Sequence, residues 1–367
     1  MDVNTRQRVL KGILAGTMAL SLAACAPMVQ QAFSPPTDFQ GPQRVPTGEG
    51  IGHFIVQDGA SLPYRVWSPA QPPKAVVIAL HGFNDHSAAW RLAGPWWAEQ
   101  GIEVWAYDQR GFGAAPGKGI WADPELSRED LRTVTAMIRQ QYPHTPIAIM
   151  GESMGGAVGI TAFASSRLPQ ADRLILLGPA VWGWSSQNTF NRVGLAAGAR
   201  LLGGRVVEPP SFAVRHIRAT DNVVELLRNG RDPRFILGTR FDALHGLVGL
   251  MEEASEDLGR VKVPTLLAYG AHDRIVPPAA MKLALERAGE RPNMTTAYYP
   301  DGWHILNRDM EAERLYGDVA AWLGGEATAL GTAAGYARRP APLQLINSYS
   351  NEALISDLHS PTRLPMP

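Results

Sequence analysis

A single cysteine, Cys25, occurs among 367 residues. One thiol cannot close an intrachain disulfide, so no disulfide framework holds this chain. Multi-cysteine zinc and iron–sulfur sites are excluded for the same reason. Neither sign of charge is in excess: Lys and Arg number 34, Asp and Glu number 34, and the net charge is zero. A protein whose main work is to hold a nucleic-acid backbone carries a basic excess, so no nucleic-acid partner is expected. The apolar run at 12–24 stops after 13 residues, short of the about 20 that cross a bilayer. Charged residues are only 19% and hydrophobic ones 45%, which allows a large core and argues against global disorder.

Arg6, Arg8 and Lys11 precede that apolar run, and small residues close it. The order describes a secretory signal peptide over residues 1–24. Its end, Leu22-Ala23-Ala24-Cys25, resembles the bacterial lipobox, in which the cysteine is lipidated and becomes the new N-terminus. Cys25 is then the lipid attachment point, and the chain meets the membrane through that lipid. The expected location is the bacterial cell envelope. Ala26 after the cysteine, by the enterobacterial sorting rule, indicates the outer membrane with the protein facing the periplasm. An ordinary signal with an incidental cysteine is the plainer alternative.

Residues 25–50, with five prolines, read as an extended tether. Residues 51–67 read as two strands around an Asp-Gly turn. AVVIAL (75–80) is an unbroken apolar run of strand length, as expected for a strand buried on both faces. IEVWAY (102–107), IAIM (147–150), LILL (174–177), TLLAYG (265–270) and TTAYY (295–299) share that character. Helix-like stretches lie between them, at 87–100, 127–141, 155–166, 278–289 and 310–323. Buried strands alternating with helices predict an α/β fold, a mostly parallel sheet with helices on both faces. Residues 181–260 break the alternation and read as a helical cap inserted between a core of 51–180 and 261–324. Residues 325–367, rich in Ala, Gly, Pro and Ser, read as a tail.

Gly-Glu-Ser-Met-Gly at 151–155 fits the nucleophile-elbow pattern, which sets a serine on a tight turn from strand to helix. Chance alone yields roughly 0.17 such matches in a chain of this composition, so the pattern needs context. PIAIM before it reads as a strand and GGAVGITAFA after it as a helix. A serine hydroxyl attacks only when a base takes its proton, and a carboxylate orients that base. In this fold the chain order is serine, acid, histidine. Past the cap, His272 adjoins Asp273 and leaves no room for an acid before it, and His359 sits in the tail. His304, in DGWH after a strand, remains as the base. Asp273, in GAHDRIVP at a strand's C-terminal end, is the acid. Asp301, three residues before His304, is the rival acid and is expected to shape the turn. Alone, such an Asp is usually a turn residue and such a His is usually solvated; order and strand-end placement make the set. The backbone N–H groups of Met154 and Phe83 would form the oxyanion hole. His81 is expected to brace its loop, and Glu152 to point away from the serine.

HGFNDHSAAW, YDQRGFGAAPG, GESMGG, GAHDRIVP and DGWHILNRD occur in that order. Over about residues 50–323 they resemble the monoacylglycerol lipase and lysophospholipase-like branch of the α/β-hydrolases, also grouped as serine aminopeptidase S33-like proteins. The resemblance implies an α/β-hydrolase fold, a helical cap and a serine hydrolase needing no cofactor or metal. It implies the same roles for Ser153, Asp273, His304, Phe83 and Met154. Many relatives carry His where this chain has Glu152. Asp108 and Arg110 fall in a segment that is usually structural. The cap holds ten Arg against nine acidic residues, with no bias toward a phosphorylated head group. Its apolar runs suit an acyl groove or a cap core equally. Monoacylglycerol or lysophospholipid esters are the expected substrates. Acyl transfer or peptide hydrolysis on the same triad is one alternative, and a non-catalytic envelope lipoprotein that binds lipid or a partner is the other.

Overall fold

The computed structural model describes residues 28–208 and 217–325. The signal, Cys25 and all but the first residue of the expected tail lie outside the described residues. The first half runs β1 (Val29–Gln30), β2 (Gln43–Gly48), β3 (Ile51–Ile55), β4 (Ser61–Trp67), β5 (Ala75–Leu80), α1 (Ala93–Glu99), β6 (Ile102–Tyr107), β7 (Trp121–Ala122) and α2 (Pro124–Gln141). Next come β8 (Ile147–Glu152), α3 (Met154–Ala164), β9 (Arg173–Leu177), α4 (Thr189–Leu202), β10 (Val206–Val207), α5 (Val223–Arg231), β11 (Thr239–Arg240) and α6 (Phe241–Asp257). The chain returns through β12 (Thr265–Gly270), α7 (Pro278–Ala288), β13 (Met294–Tyr299) and α8 (Ala312–Leu323).

Nine strands form the main sheet in the order β13-β12-β9-β8-β5-β6-β4-β3-β2. The run from β13 to β6 is parallel, and β4, β3 and β2 add antiparallel strands at one edge. β5 shows why the parallel part is stable. Val76, Ile78 and Leu80 join one apolar core, while Ala75, Val77 and Ala79 join another on the opposite face. Period-two alternation thus feeds two cores from one unbroken apolar run. The first core takes α2, α3, α6 and α7, and the second takes α1 and α8.

Two expectations change. The stretch read as a tether is folded against the body in its described part: β1 pairs with β7, and β2 is the sheet's edge strand beside β3. All six β2 residues are exposed, so no apolar pattern announces it; the backbone ladder alone makes it a strand. The helix expected over 87–100 splits into a 3-10 turn at Ser87–Trp90 and α1. Pro95 has no N–H to donate and fits only a helix's first turn, so a new helix must begin just before it.

The chain between β9 and β12 leaves and re-enters the sheet at neighbouring strands. Its described part holds α4, α5, α6 and, beyond the helical expectation, a small antiparallel ribbon of β10 and β11. Among the described residues no helix is long and apolar enough to cross a membrane.

Candidate active site

Four parallel strands deliver the site residues at one edge of the sheet. His81 follows β5, Ser153 follows β8, Asp273 lies three residues past β12, and His304 five past β13. Ser153 adopts φ 51° and ψ −114°, a left-handed conformation costly for a non-glycine residue by about 1–3 kcal/mol. Its N–H donates to the Leu177 carbonyl at 3.0 Å, and its own carbonyl accepts from Ala180 at 2.9 Å. The turn is also tight. A Cβ on Gly155 would lie 2.4 Å from the Leu80 carbonyl oxygen, so α3 can approach β5 only with glycine there.

Asp273 and His304 are 1% and 4% exposed. His304 Nδ1 donates to Asp273 Oδ2 at 2.8 Å. Asp273 Oδ1 accepts from the N–H groups of Ile275 and Val276, both at 2.9 Å. The carboxylate is held from both sides, so it fixes the imidazole plane and leaves Nε2 for a second partner. Burial pulls the His304 pKa down, the charge and hydrogen bond of Asp273 together with the nearby Glu152 carboxylate push it up, and the net shift is upward. Ser153 and His304 line the same cavity, and no hydrogen bond joins them. Asp301 is exposed, and the Nδ1 bond of His304 goes to Asp273. His272 stacks on Trp303 with ring centres 5.1 Å apart.

Phe83 borders the cavity on the loop after β5. That loop lies against the elbow: a Cβ on Gly82 would sit 3.4 Å from Ser153 Cβ. Met154 is the first residue of α3, where backbone N–H groups have no partner within the helix. His81 is fully buried; its Nδ1 donates to the Gly82 carbonyl at 2.8 Å and its Nε2 accepts from the Gln109 N–H at 3.0 Å. Burial lowers its pKa, which keeps it neutral and suits it to bracing the loop. The Glu152 carboxylate accepts from Arg308, and the residue is among those that border the cavity. Asp85 and Arg308 complete this buried group, and neither was singled out from the sequence.

The cavity has a volume of about 380 Å³. α6 contributes Leu244, Leu247, Val248 and Met251, one helical face at spacings of three and four. Trp182 and Leu195 extend the apolar wall. Hydrogen bonds join this upper layer to the Phe83 loop. Asn84 Nδ2 donates to Thr239 Oγ1 at 2.8 Å, and the Ile236 N–H donates to the Asn84 carbonyl at 2.9 Å. Among the described residues no group of three or more His, Cys, Asp or Glu could hold a metal ion.

Comparison with known proteins agrees with this architecture. The family model for serine aminopeptidase, S33, matches residues 71–311. A monoacylglycerol lipase of Mycolicibacterium smegmatis is 27% identical over 283 residues, covering 74% of this chain and 95% of that protein. The human monoglyceride lipase is 24% identical over 298 residues, covering 80% and 96%. The crystal structure of the Paleococcus ferrophilus monoacylglycerol lipase superposes with a TM-score of 0.59 at 20% identity, covering 72% of this chain and 99% of that one, a likeness of fold. The sheet order, the serine turn and the match over residues 71–311 make this chain a member of the serine aminopeptidase S33 family of α/β-hydrolases.

Proposed function

We propose that this hydrolase cleaves carboxylic esters through a Ser153, His304 and Asp273 acyl-enzyme mechanism. One observation carries the reading: His304, oriented from behind by the buried Asp273, shares a large apolar cavity with a serine held in a strained turn. His304 Nε2 takes the Ser153 proton as Oγ attacks the ester carbonyl. The N–H groups of Phe83 and Met154 receive the charge that develops on the carbonyl oxygen. His304 then gives the proton to the leaving alcohol, which departs. Water activated by His304 cleaves the acyl-enzyme, releasing the acid and restoring Ser153. Asp273 stabilises the imidazolium formed at each step.

The substrate class follows from the wall. A mostly apolar cavity of about 380 Å³ fits an acyl chain better than a peptide. The named activities of the relatives, monoacylglycerol and monoglyceride lipase, support a glycerol or comparable lipid ester. The described part of residues 181–260 forms the cap that selects it. For location, the Leu22-Ala23-Ala24-Cys25 sequence supports lipid attachment at Cys25 and residence at the envelope membrane; loss of radiolabelled palmitate in Cys25→Ser tests that part.

The deciding experiment is labelling with a fluorophosphonate probe, followed by assay on p-nitrophenyl esters and monoacylglycerols. Wild type should label and hydrolyse, and Ser153→Ala should do neither. A folded wild type inert to both would overturn the reading in favour of a binding role. Products diverted to added alcohols in preference to water would assign acyl transfer instead.

A further inference from the structure

The proposed mechanism uses one buried carboxylate, Asp273, and leaves two more beside Ser153 without a task. These are Asp85 and Glu152, both buried and both at the cavity edge. Arg308 joins them. Its side chain is fully buried, and it is not part of the cavity wall. Nη2 donates to Glu152 Oε1 at 2.9 Å and reaches Oε2 at 3.2 Å. Nη1 forms an ion pair with Asp85 Oδ2 at 2.7 Å.

Each of the three groups belongs to a different site segment. Asp85 stands two residues after Phe83, and its other oxygen accepts from the His86 N–H at 2.8 Å. Glu152 immediately precedes Ser153. Arg308 follows His304 by four residues, in a 3-10 turn where its N–H donates to the Ile305 carbonyl at 3.0 Å. Glu152 and Arg308 are 156 positions apart in the chain. A planar guanidinium offers a rigid fork to two carboxylates at once, which a flexible ammonium does not. Filling this space needs no charge: apolar groups of similar volume usually stabilise as well as a buried ion pair or better. A charged clamp between three reacting segments therefore points to geometry.

We propose that Arg308 is a positioning residue: through Asp85 and Glu152 it holds the Phe83 loop, the Ser153 elbow and the His304 loop in register. It acts on those segments and not on substrate. The inference rests on the serine-hydrolase reading. Reacting groups need placement within about 0.5 Å, and a displacement of about 1 Å can cost about a hundredfold in rate.

The test compares wild type with Arg308→Lys, Arg308→Met, Glu152→Gln and the Glu152→Gln, Arg308→Met pair. Fluorophosphonate labelling rate, kcat and KM are measured per folded molecule, with Tm alongside. Arg308→Met should lower kcat and labelling rate by about ten- to a hundredfold, with KM within about twofold. Arg308→Lys should recover part of that loss. Glu152→Gln should cost less in the Arg308→Met background than in wild type, since the grip is already gone. A lowered Tm with unchanged kcat and labelling rate would show a purely structural arginine and overturn the proposal. Should Arg308→Met not fold, Glu152→Gln and Arg308→Lys decide: lowered kcat at constant KM supports the clamp, and unchanged kcat in both overturns it. Failure of wild type to label would instead overturn the serine-hydrolase reading, so the two failures are distinct.

Discussion

A histidine that must accept a proton works only while neutral. The net upward shift at His304, against burial, places the acidic limb of its kcat/KM profile above the ordinary value of about 6.5. Activity should fall as pH drops through that limb. Asp273→Asn removes the carboxylate that offsets burial, so the limb should move to lower pH while kcat falls by about four orders of magnitude. A pH–rate series on both proteins checks this; a limb that stays in place would assign the shift to another group. Asp309 gives a second test. It is buried, accepts from the Trp303 N–H at 2.8 Å, and burial pushes its carboxyl up to about 7. Its folded value lies above its unfolded value of about 4, so the protonated form favours the fold. That stabilisation is complete below about pH 4 and is lost as pH rises through about 7. Asp309→Asn keeps an acceptor for Trp303 and removes the titration. The fall in Tm between about pH 5 and about pH 8 should shrink in the variant, as calorimetry would measure.

Helix α6 is the element that shapes the cavity. Leu244, Leu247, Val248 and Met251 line it, and Val248 and Met251 also belong to the core with Ala243, Leu250 and Ala254. Enlarging Met251 to Trp should occupy acyl space and leave Ser153 untouched. The ratio of kcat/KM for long over short acyl esters should fall about tenfold, since each methylene denied burial costs about 0.8 kcal/mol. A series of p-nitrophenyl esters of rising chain length reads the ratio, and an unchanged ratio would place the chain elsewhere. What the sequence disclosed is of a piece with this. Runs such as AVVIAL and TLLAYG were legible as strands because both faces are buried. β2 was not, because its QRVPTG is wholly exposed and a non-local pairing defines it. β10 and β11 were likewise invisible: two residues each carry no period, and their partners lie more than thirty positions apart. Ser153, Asp273 and His304 were legible as candidates because nucleophilic chemistry dictates residue types and chain order. Arg308 was not, since a buried arginine and a solvated one are the same letter until the fold brings Asp85 and Glu152 to it.

At the scale of the whole molecule, one tie outside both apolar cores joins distant parts of the chain. Arg110, with no side-chain exposure, donates through Nη1 and Nη2 to Asp58 at 2.8 and 2.6 Å and through Nε and Nη2 to Asp130 at 2.6 and 2.8 Å. Asp58 sits in the β3–β4 turn, Asp130 on α2, and Arg110 on the loop after β6. Asp58 also accepts from the Phe33 N–H at 2.8 Å, and the Arg110 guanidinium lies 5.4 Å from the Phe33 ring centre. The N-terminal arm, the antiparallel edge and a covering helix therefore depend on one cation. Replacing it by Met leaves two buried carboxylates unpaired and should cost about 3–5 kcal/mol. Two explanations of that loss can be separated. If uncompensated charge is the cause, adding Asp58→Asn and Asp130→Asn to Arg110→Met should recover stability, because the stranded charges are gone. If lost packing and hydrogen bonds are the cause, the triple variant should be no more stable than the single. Denaturant unfolding of wild type, single and triple variants distinguishes them, and the balance of two carboxylates around one guanidinium predicts recovery.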